Sequence, residues 1–288
     1  MVISVSRRCD IPRFKFNWFL EKLDIGHVEV KNPFNANQIR RVSLLPPEAR
    51  LLPVTASGPE EQAEVFAFWT RDPKAILDNS DELEKRGYGF FVMTTLTSYP
   101  AILEPNAPPL DRVIQTMRSL ADKITADRVI WRYDPVFLSN ITDFGFHRRN
   151  FAAIAARLNG KVNKVIISLY DEYSRAEKRL AALEREGVLG RITDRGPEFK
   201  DLICELARIA QREGMEIQSC AEELSDLGIK SGACIDGEYL HRIFGFRNSG
   251  LKVHTKDPGQ RSRCLCVQSV DIGSYGDCPA GCVYCYAS

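Results

Sequence analysis

The feature that most constrains the fold of this chain is a strand-then-helix rhythm along its first 245 residues. Short β-branched or aromatic runs occur at residues 2–5, 27–30, 65–69, 90–96, 128–132, 165–170 and 215–219, with a short eighth expected near 233–235. Amphipathic helical patterns lie between most of them, at 110–123, 146–158, 174–186 and 199–209. In the last, Phe199, Leu202, Ile203, Leu206 and Ile209 recur at helical spacing. Alternation of β and α predicts a parallel sheet faced by helices. Seven or eight such strands predict an α/β fold of the (β/α)8 TIM-like barrel type. The runner-up is an open doubly wound sheet, weakened because no Gly-rich dinucleotide fingerprint follows the first strand.

Length and composition agree. The chain has 288 residues, enough for a barrel of about 250 residues plus an extension. Hydrophobic residues make up 44% and charged residues 27%, which argues against disorder. The net charge of +1 does not demand nucleic acid or an acidic membrane, although local basic stretches at 38–41 and 147–149 leave nucleic acid open as a partner. The first residues lack the apolar run of a signal peptide, and no stretch of about 18 apolar residues occurs. The expectation is a cytoplasmic protein without a membrane span.

Polar residues follow several predicted strands, and in a barrel they would gather at the C-terminal face, where such folds keep their active sites. Arg7, Arg8, Cys9 and Asp10 follow the first strand. Asn32, Thr70, Thr95, Arg132 with Asp134, Asp171, and Cys220 with Glu222 end later ones. Arg8, Asp10, Arg132, Asp134 and Glu222 are therefore expected to line a substrate pocket as catalytic candidates. The arginines suit carboxylate or phosphate, and Asp10 and Glu222 are candidate acid and base. An ion pair of Arg132 with a nearby acid that merely ties the rim is an equal alternative. Cys9, Cys220, Asn32 and Thr95 are cofactor-binding candidates, with small buried thiols as the bland reading of both cysteines. Trp69, Trp131 and Tyr133 could stack a flat ligand, but packing is the ordinary use of such rings. Among the histidines, His27 is expected to begin a strand, His147 to face solvent near a helix start, and His254 to be a remote candidate ligand near the tail.

From residue 246 the rhythm stops. The sequence divides into a barrel over 1–245 and a cysteine-rich extension over 246–288. Five of the nine cysteines lie here: Cys264, Cys266, Cys278, Cys282 and Cys285. In a large cytosolic chain such clustering points to metal ligation rather than to disulfides. Cys278-x3-Cys282-x2-Cys285 can present three thiolates to one compact centre, with Gly281 permitting the sharp turn. Thiolates suit iron in a cluster or zinc. Zinc sites more often pair two Cys-x2-Cys hooks, and one is present. An iron–sulfur cluster, zinc and no metal stay open in that order. A cubane leaves one iron for Cys264, Cys266, or a substrate or cofactor.

The run Cys278-Pro279-Ala280-Gly281-Cys282-Val283-Tyr284-Cys285-Tyr286-Ala287 resembles the cluster motif of radical S-adenosylmethionine enzymes, and its wording is closest to the spore photoproduct lyase-like branch. That resemblance implies a [4Fe-4S] cluster on Cys278, Cys282 and Cys285, with S-adenosylmethionine at the open iron. Those enzymes carry the motif after an early strand. Here it stands at the end of the sequence, so any cofactor site is expected from the residues before it. A second resemblance covers nearly the whole chain. Arg8-Cys9-Asp10-Ile11-Pro12, Phe68-Trp69-Thr70, Arg132-Tyr133-Asp134-Pro135, Cys220-Ala221-Glu222, Cys234-Ile235-Asp236 and Asp271-Ile272-Gly273 look like an uncharacterised bacterial domain-of-unknown-function family. It implies a barrel-like fold with a cysteine-rich C-terminus. The expected function is an iron–sulfur redox or radical enzyme acting on a small or phosphate-bearing substrate, with an electron-donor protein as a further candidate partner. The alternative is a non-redox barrel enzyme or binding module with a structural iron–sulfur or zinc clip.

Overall fold

The computed structural model describes residues 1–32, 35–46, 63–245 and 255–288. His254 lies outside them. The chain runs β1 (Val2–Val5), α1 (Ile11–Phe14), α2 (Phe16–Ile25), β2 (His27–Asn32), β3 (Asn35–Ser43), β4 (Val65–Thr70), α3 (Lys74–Lys85), β5 (Gly89–Thr95) and α4 (Leu110–Ile124). It continues with β6 (Val129–Val136), α5 (Phe144–Leu158), β7 (Lys164–Leu169), α6 (Ser174–Arg185), α7 (Pro197–Arg212), β8 (Glu216–Cys220), β9 (Lys230–Gly232), α8 (Gly237–Phe244) and β10 (Ser269–Asp271).

Eight strands form one parallel sheet in the order β10-β1-β4-β5-β6-β7-β8-β9. This is a mixed α/β fold. Its inner strands β1, β4 and β7 are buried on both faces, as parallel strands covered by helices must be. Successive residues of β4 show the division. Phe66 and Phe68 join Ile3, Phe90, Val92, Trp131 and Ile167 against the helices. Val65, Ala67 and Trp69 join Val2, Phe91, Met93, Ile130 and Ile166 on the opposite side, together with Cys220, Cys234, Cys264 and Cys266. The two edge strands also approach each other: the Val267 N–H, just before β10, donates to the Ile235 carbonyl, just after β9, at 3.0 Å.

Two strand assignments need correction. The run at 27–30 is a strand, but it belongs to a separate antiparallel hairpin, β2 with β3. Its residues His27-Val28-Glu29-Val30-Lys31 alternate polar and apolar, the pattern of a half-exposed strand rather than of a doubly buried one. The short strand expected at 233–235 lies three residues earlier, as β9. The tail meanwhile supplies its own strand to the sheet, with β10 in register beside β1 (Val2 opposite Ser269). Asp271 at its end accepts hydrogen bonds from Ser4 Oγ (2.7 Å), Ser6 Oγ (2.5 Å) and the Arg7 N–H (2.8 Å). Gly273 then passes so close that a Cβ would fall 2.0 Å from Ser6 Oγ. His147 is a third correction. It is fully buried rather than solvent-facing, because its ring bridges the Tyr133 hydroxyl (2.8 Å) and the Phe137 carbonyl (3.1 Å). No helix among the described residues is long and apolar enough to cross a membrane.

Candidate functional site at the carboxyl ends of the strands

The loops after the parallel strands surround a cavity of about 480 Å³, within the usual range of small-molecule sites. Most of the expected site residues meet there. The loop after β1 brings Arg8, Cys9 and Asp10, β5 brings Thr95, β6 brings Arg132 and Asp134, and β8 brings Cys220. The tail brings Cys264, Cys266, Cys278, Cys282 and Cys285. Asn32 is not brought to it. It sits at the end of the β2–β3 hairpin and bonds Gln38 Oε1 at 2.7 Å. Glu222 stands beside the cavity rather than on its wall, and burial raises its carboxyl above the usual range against the opposing pull of Arg195 and Arg263.

The charged lining is tied in pairs. Arg132 is ion-paired with Asp134, bonds Thr95 Oγ1 at 3.3 Å and lies 4.7 Å from the centroid of the Trp69 ring. Asp134 is held from its other side by Ser168 Oγ at 2.7 Å. Trp131 and Tyr133, by contrast, pack around Phe151 away from the cavity. Asp10 accepts from the Arg71 N–H (2.8 Å) and the Arg13 N–H (3.1 Å), the latter capping α1. Burial raises its carboxyl to about 6 despite these bonds. Its structural work is to fix the β1 and β4 loops against each other.

The cysteine loop is seated on the segment after β5. The Val283 N–H donates to the Leu103 carbonyl (2.9 Å), and Asn106 Nδ2 donates to the Pro279 carbonyl (3.0 Å). Gly281 turns the loop with φ +67°, a conformation that favours glycine. Beneath it lies a buried ion pair. Arg71 grips Glu104 with both ends of its guanidinium (2.9 and 2.8 Å) and also donates to Tyr284 Oη at 2.5 Å, while the Tyr284 and Thr97 hydroxyls donate to Glu104. On the outer side Arg179 of α6 donates to the carbonyls of Val283 (2.9 Å), Ser288 (2.8 Å) and Cys285.

The cysteines divide into two groups. Cys9 contacts Cys278, and this bond outweighs burial and lowers the Cys278 thiol to about 5, while Cys9 itself is raised. Burial raises Cys282 to about 11, and negative charge on Glu104, Cys285 and Cys278 adds to that against the pull of Arg71. The Ala287 N–H donates to Cys285 Sγ at 3.3 Å. Cys264 and Cys266, expected as candidates for the fourth ligand of this loop, instead pack with Cys220 and Cys234. Among the described residues, no group of three or more His, Cys, Asp or Glu side chains is placed so as to hold a metal ion.

Sequence reasoning missed Arg71, Glu104 and Arg179. Arg71 follows the quoted Phe-Trp-Thr run and could have been drawn into the strand-end set. Glu104 sits in a loop with no signal of its own. Arg179 binds backbone carbonyls, which leave no trace in sequence.

No curated protein matches the chain. Among solved structures, one similarity is to the tandem GH20 catalytic modules of the pneumococcal exo-β-D-N-acetylglucosaminidase StrH. It is 11% identical with a TM-score of 0.26, covering 76% of this chain and 52% of that one. The chain thus spans about half of that structure's length, and so low a score bears on neither fold nor activity. The family comparison is of a different order: its model matches residues 2–287, so the chain belongs to the family described as "Domain of unknown function (DUF1848)".

Proposed function

We propose that the protein is an iron–sulfur enzyme of redox or radical type. Cys278, Cys282 and Cys285 carry the cluster, and a small anionic or phosphate-bearing substrate occupies the neighbouring cavity. One observation carries this reading: the three thiols of the loop share a single cavity wall with Arg8, Arg132 and Asp134. The donor set fits a [4Fe-4S] cluster, since three soft thiolates come from one tight loop and Cys9 stands beside one of them while its thiol donates to the Asp277 carbonyl at 3.5 Å. When bound, such a cluster supplies one-electron chemistry. The chain's own residues supply position and charge. Arg132, held by Asp134 and Thr95, presents a planar fork suited to carboxylate or phosphate. The approach of β9 and β10 through Val267 and Ile235 supports reading the sheet as a closed (β/α)8 barrel, whose mouth is this cavity.

An iron without a cysteine ligand would face the cavity, where S-adenosylmethionine is the candidate cofactor and an electron-donor protein the candidate partner. The contact between Cys9 and Cys278 favours a second reading, a closed four-cysteine centre acting as a structural clip. Electron paramagnetic resonance of the anaerobically reduced protein, before and after adding S-adenosylmethionine, separates them. A changed cluster signal is expected. An unchanged signal refutes the open-iron enzyme, and no cluster signal refutes both readings.

A further inference from the structure

The second group of cysteines is unused by the proposed function. Cys220 ends β8, Cys234 follows β9, and Cys264 and Cys266 lie on the approach to β10. All four are buried. Cys234 Sγ lies 3.4 Å from Cys220 Sγ, Cys234 also contacts Cys266, and Cys266 contacts Cys264. The Ile235 N–H donates to Cys266 Sγ at 3.4 Å, a bond that favours a thiolate at that sulfur.

Four neutral thiols would be ordinary core filling, but the surroundings argue against neutrality. Arg7 and Arg132 both lean on the Trp69 ring, at 5.0 and 4.7 Å from its centroid. Arg7 Nη2 and Arg132 Nε are buried without a hydrogen-bond partner among the described residues. Burying unpaired parts of two cations costs stability unless negative charge stands beside them. Asp134 and Asp271 supply part of it, and the thiols are further ionisable neighbours: Cys234 and Cys266 bear on Arg7, as Cys220 does on both arginines. A divalent ion on four thiolates carries two net negative charges, placed beside these two guanidinium groups.

We propose that Cys220, Cys234, Cys264 and Cys266 form a second metal site, which binds one divalent ion of zinc type and clips the tail to the far edge of the sheet. Metal–sulfur bonds of about 2.3 Å in a tetrahedron put sulfurs about 3.8 Å apart, close to the 3.4 Å already present between Cys220 and Cys234. A cubane cluster would hold each sulfur on a separate iron. The four thiols now run as a chain from Cys220 through Cys234 and Cys266 to Cys264, and binding closes that chain around the ion.

The test is metal analysis of the full chain purified anaerobically, together with titration of the metal-free protein with cobalt(II). The wild type is expected to retain about one zinc per chain and to give an intense thiolate-to-cobalt charge-transfer band. Cys234→Ser and Cys264→Ser should each lose the zinc and weaken the band while keeping iron and sulfide. Cys282→Ser should lose iron and keep zinc, so this site stands or falls separately from the loop cluster. Far-ultraviolet circular dichroism checks folding, and the cobalt titration of the wild type needs no variant. Absence of both retained zinc and the cobalt band overturns the proposal. So does loss of iron and sulfide, rather than zinc, from Cys264→Ser.

Discussion

Replacing Glu104 by Gln tests how the cysteine loop is held. The Glu104 side chain is 1% exposed and its Arg71 partner 11%, so the substitution leaves a guanidinium buried without its counter-charge. Breaking such a pair from one side costs about 3–5 kcal/mol. For a chain of 288 residues 4 kcal/mol lowers the melting temperature by about 7 °C. Replacing both partners, Arg71→Met with Glu104→Leu, removes the desolvation penalty along with the attraction and should cost much less than the two single changes added together. Tyr284→Phe removes only the hydroxyl that bonds the pair and should cost about 1.5–3 kcal/mol. Because Tyr284 lies between Cys282 and Cys285, all the single changes should also speed loss of iron from the loop. The assay is urea unfolding of the reduced protein under anaerobic conditions, with iron release followed in parallel. A cost below about 1 kcal/mol for Glu104→Gln, or additive costs in the double variant, would refute the view that this pair is desolvated and anchors the loop.

Further outcomes follow from the same geometry. Burial lowers His147 to about 4, below the unfolded value of about 6.5. The native state then refuses a proton that the unfolded chain accepts, so stability is intact above pH 6.5 and falls as the pH drops toward 4, by up to about 3 kcal/mol. His147→Gln should flatten that dependence in denaturant titrations between pH 7 and 4.5, and an unchanged slope would count against it. Arg179→Ala should leave secondary structure intact but release the tail to proteolysis after residue 280 several times faster, and equal cleavage rates would show that its carbonyl contacts are idle. Cys9→Ser should keep the iron content of the loop while shifting the cluster's reduction potential, because Cys9 adjoins Cys278 and bonds the Asp277 carbonyl just before it. Loss of iron would instead make Cys9 the fourth ligand.

The sequence carried the parallel sheet well because doubly buried strands such as Val65–Thr70 announce themselves as unbroken apolar runs. It misplaced His27–Asn32, whose alternation fits a hairpin as readily as a sheet, and it could not foresee β10, a three-residue strand that gains its identity by lying beside β1. The strand-end rule anticipated that Arg8, Asp10, Arg132 and Asp134 would share one cavity, because all parallel strands point their carboxyl ends the same way. Spacing found the Cys278–Cys282–Cys285 loop but could not sort the remaining cysteines. Apart from Cys264 beside Cys266, the partners are distant in sequence, 14 residues for Cys220 and Cys234 and 31 for Ile235 and Cys266, and only the fold brings them together. The same limit hid Glu104, which is 180 residues from Tyr284.

The central claim is that the loop at Cys278, Cys282 and Cys285 carries an iron–sulfur cluster. Iron and acid-labile sulfide, counted per chain in anaerobically purified or reconstituted protein, test it most directly. The account predicts about four of each, lost together in Cys282→Ala and unaffected in Cys204→Ser. Protein free of labile sulfide, or sulfide retained in full by Cys282→Ala, would contradict it.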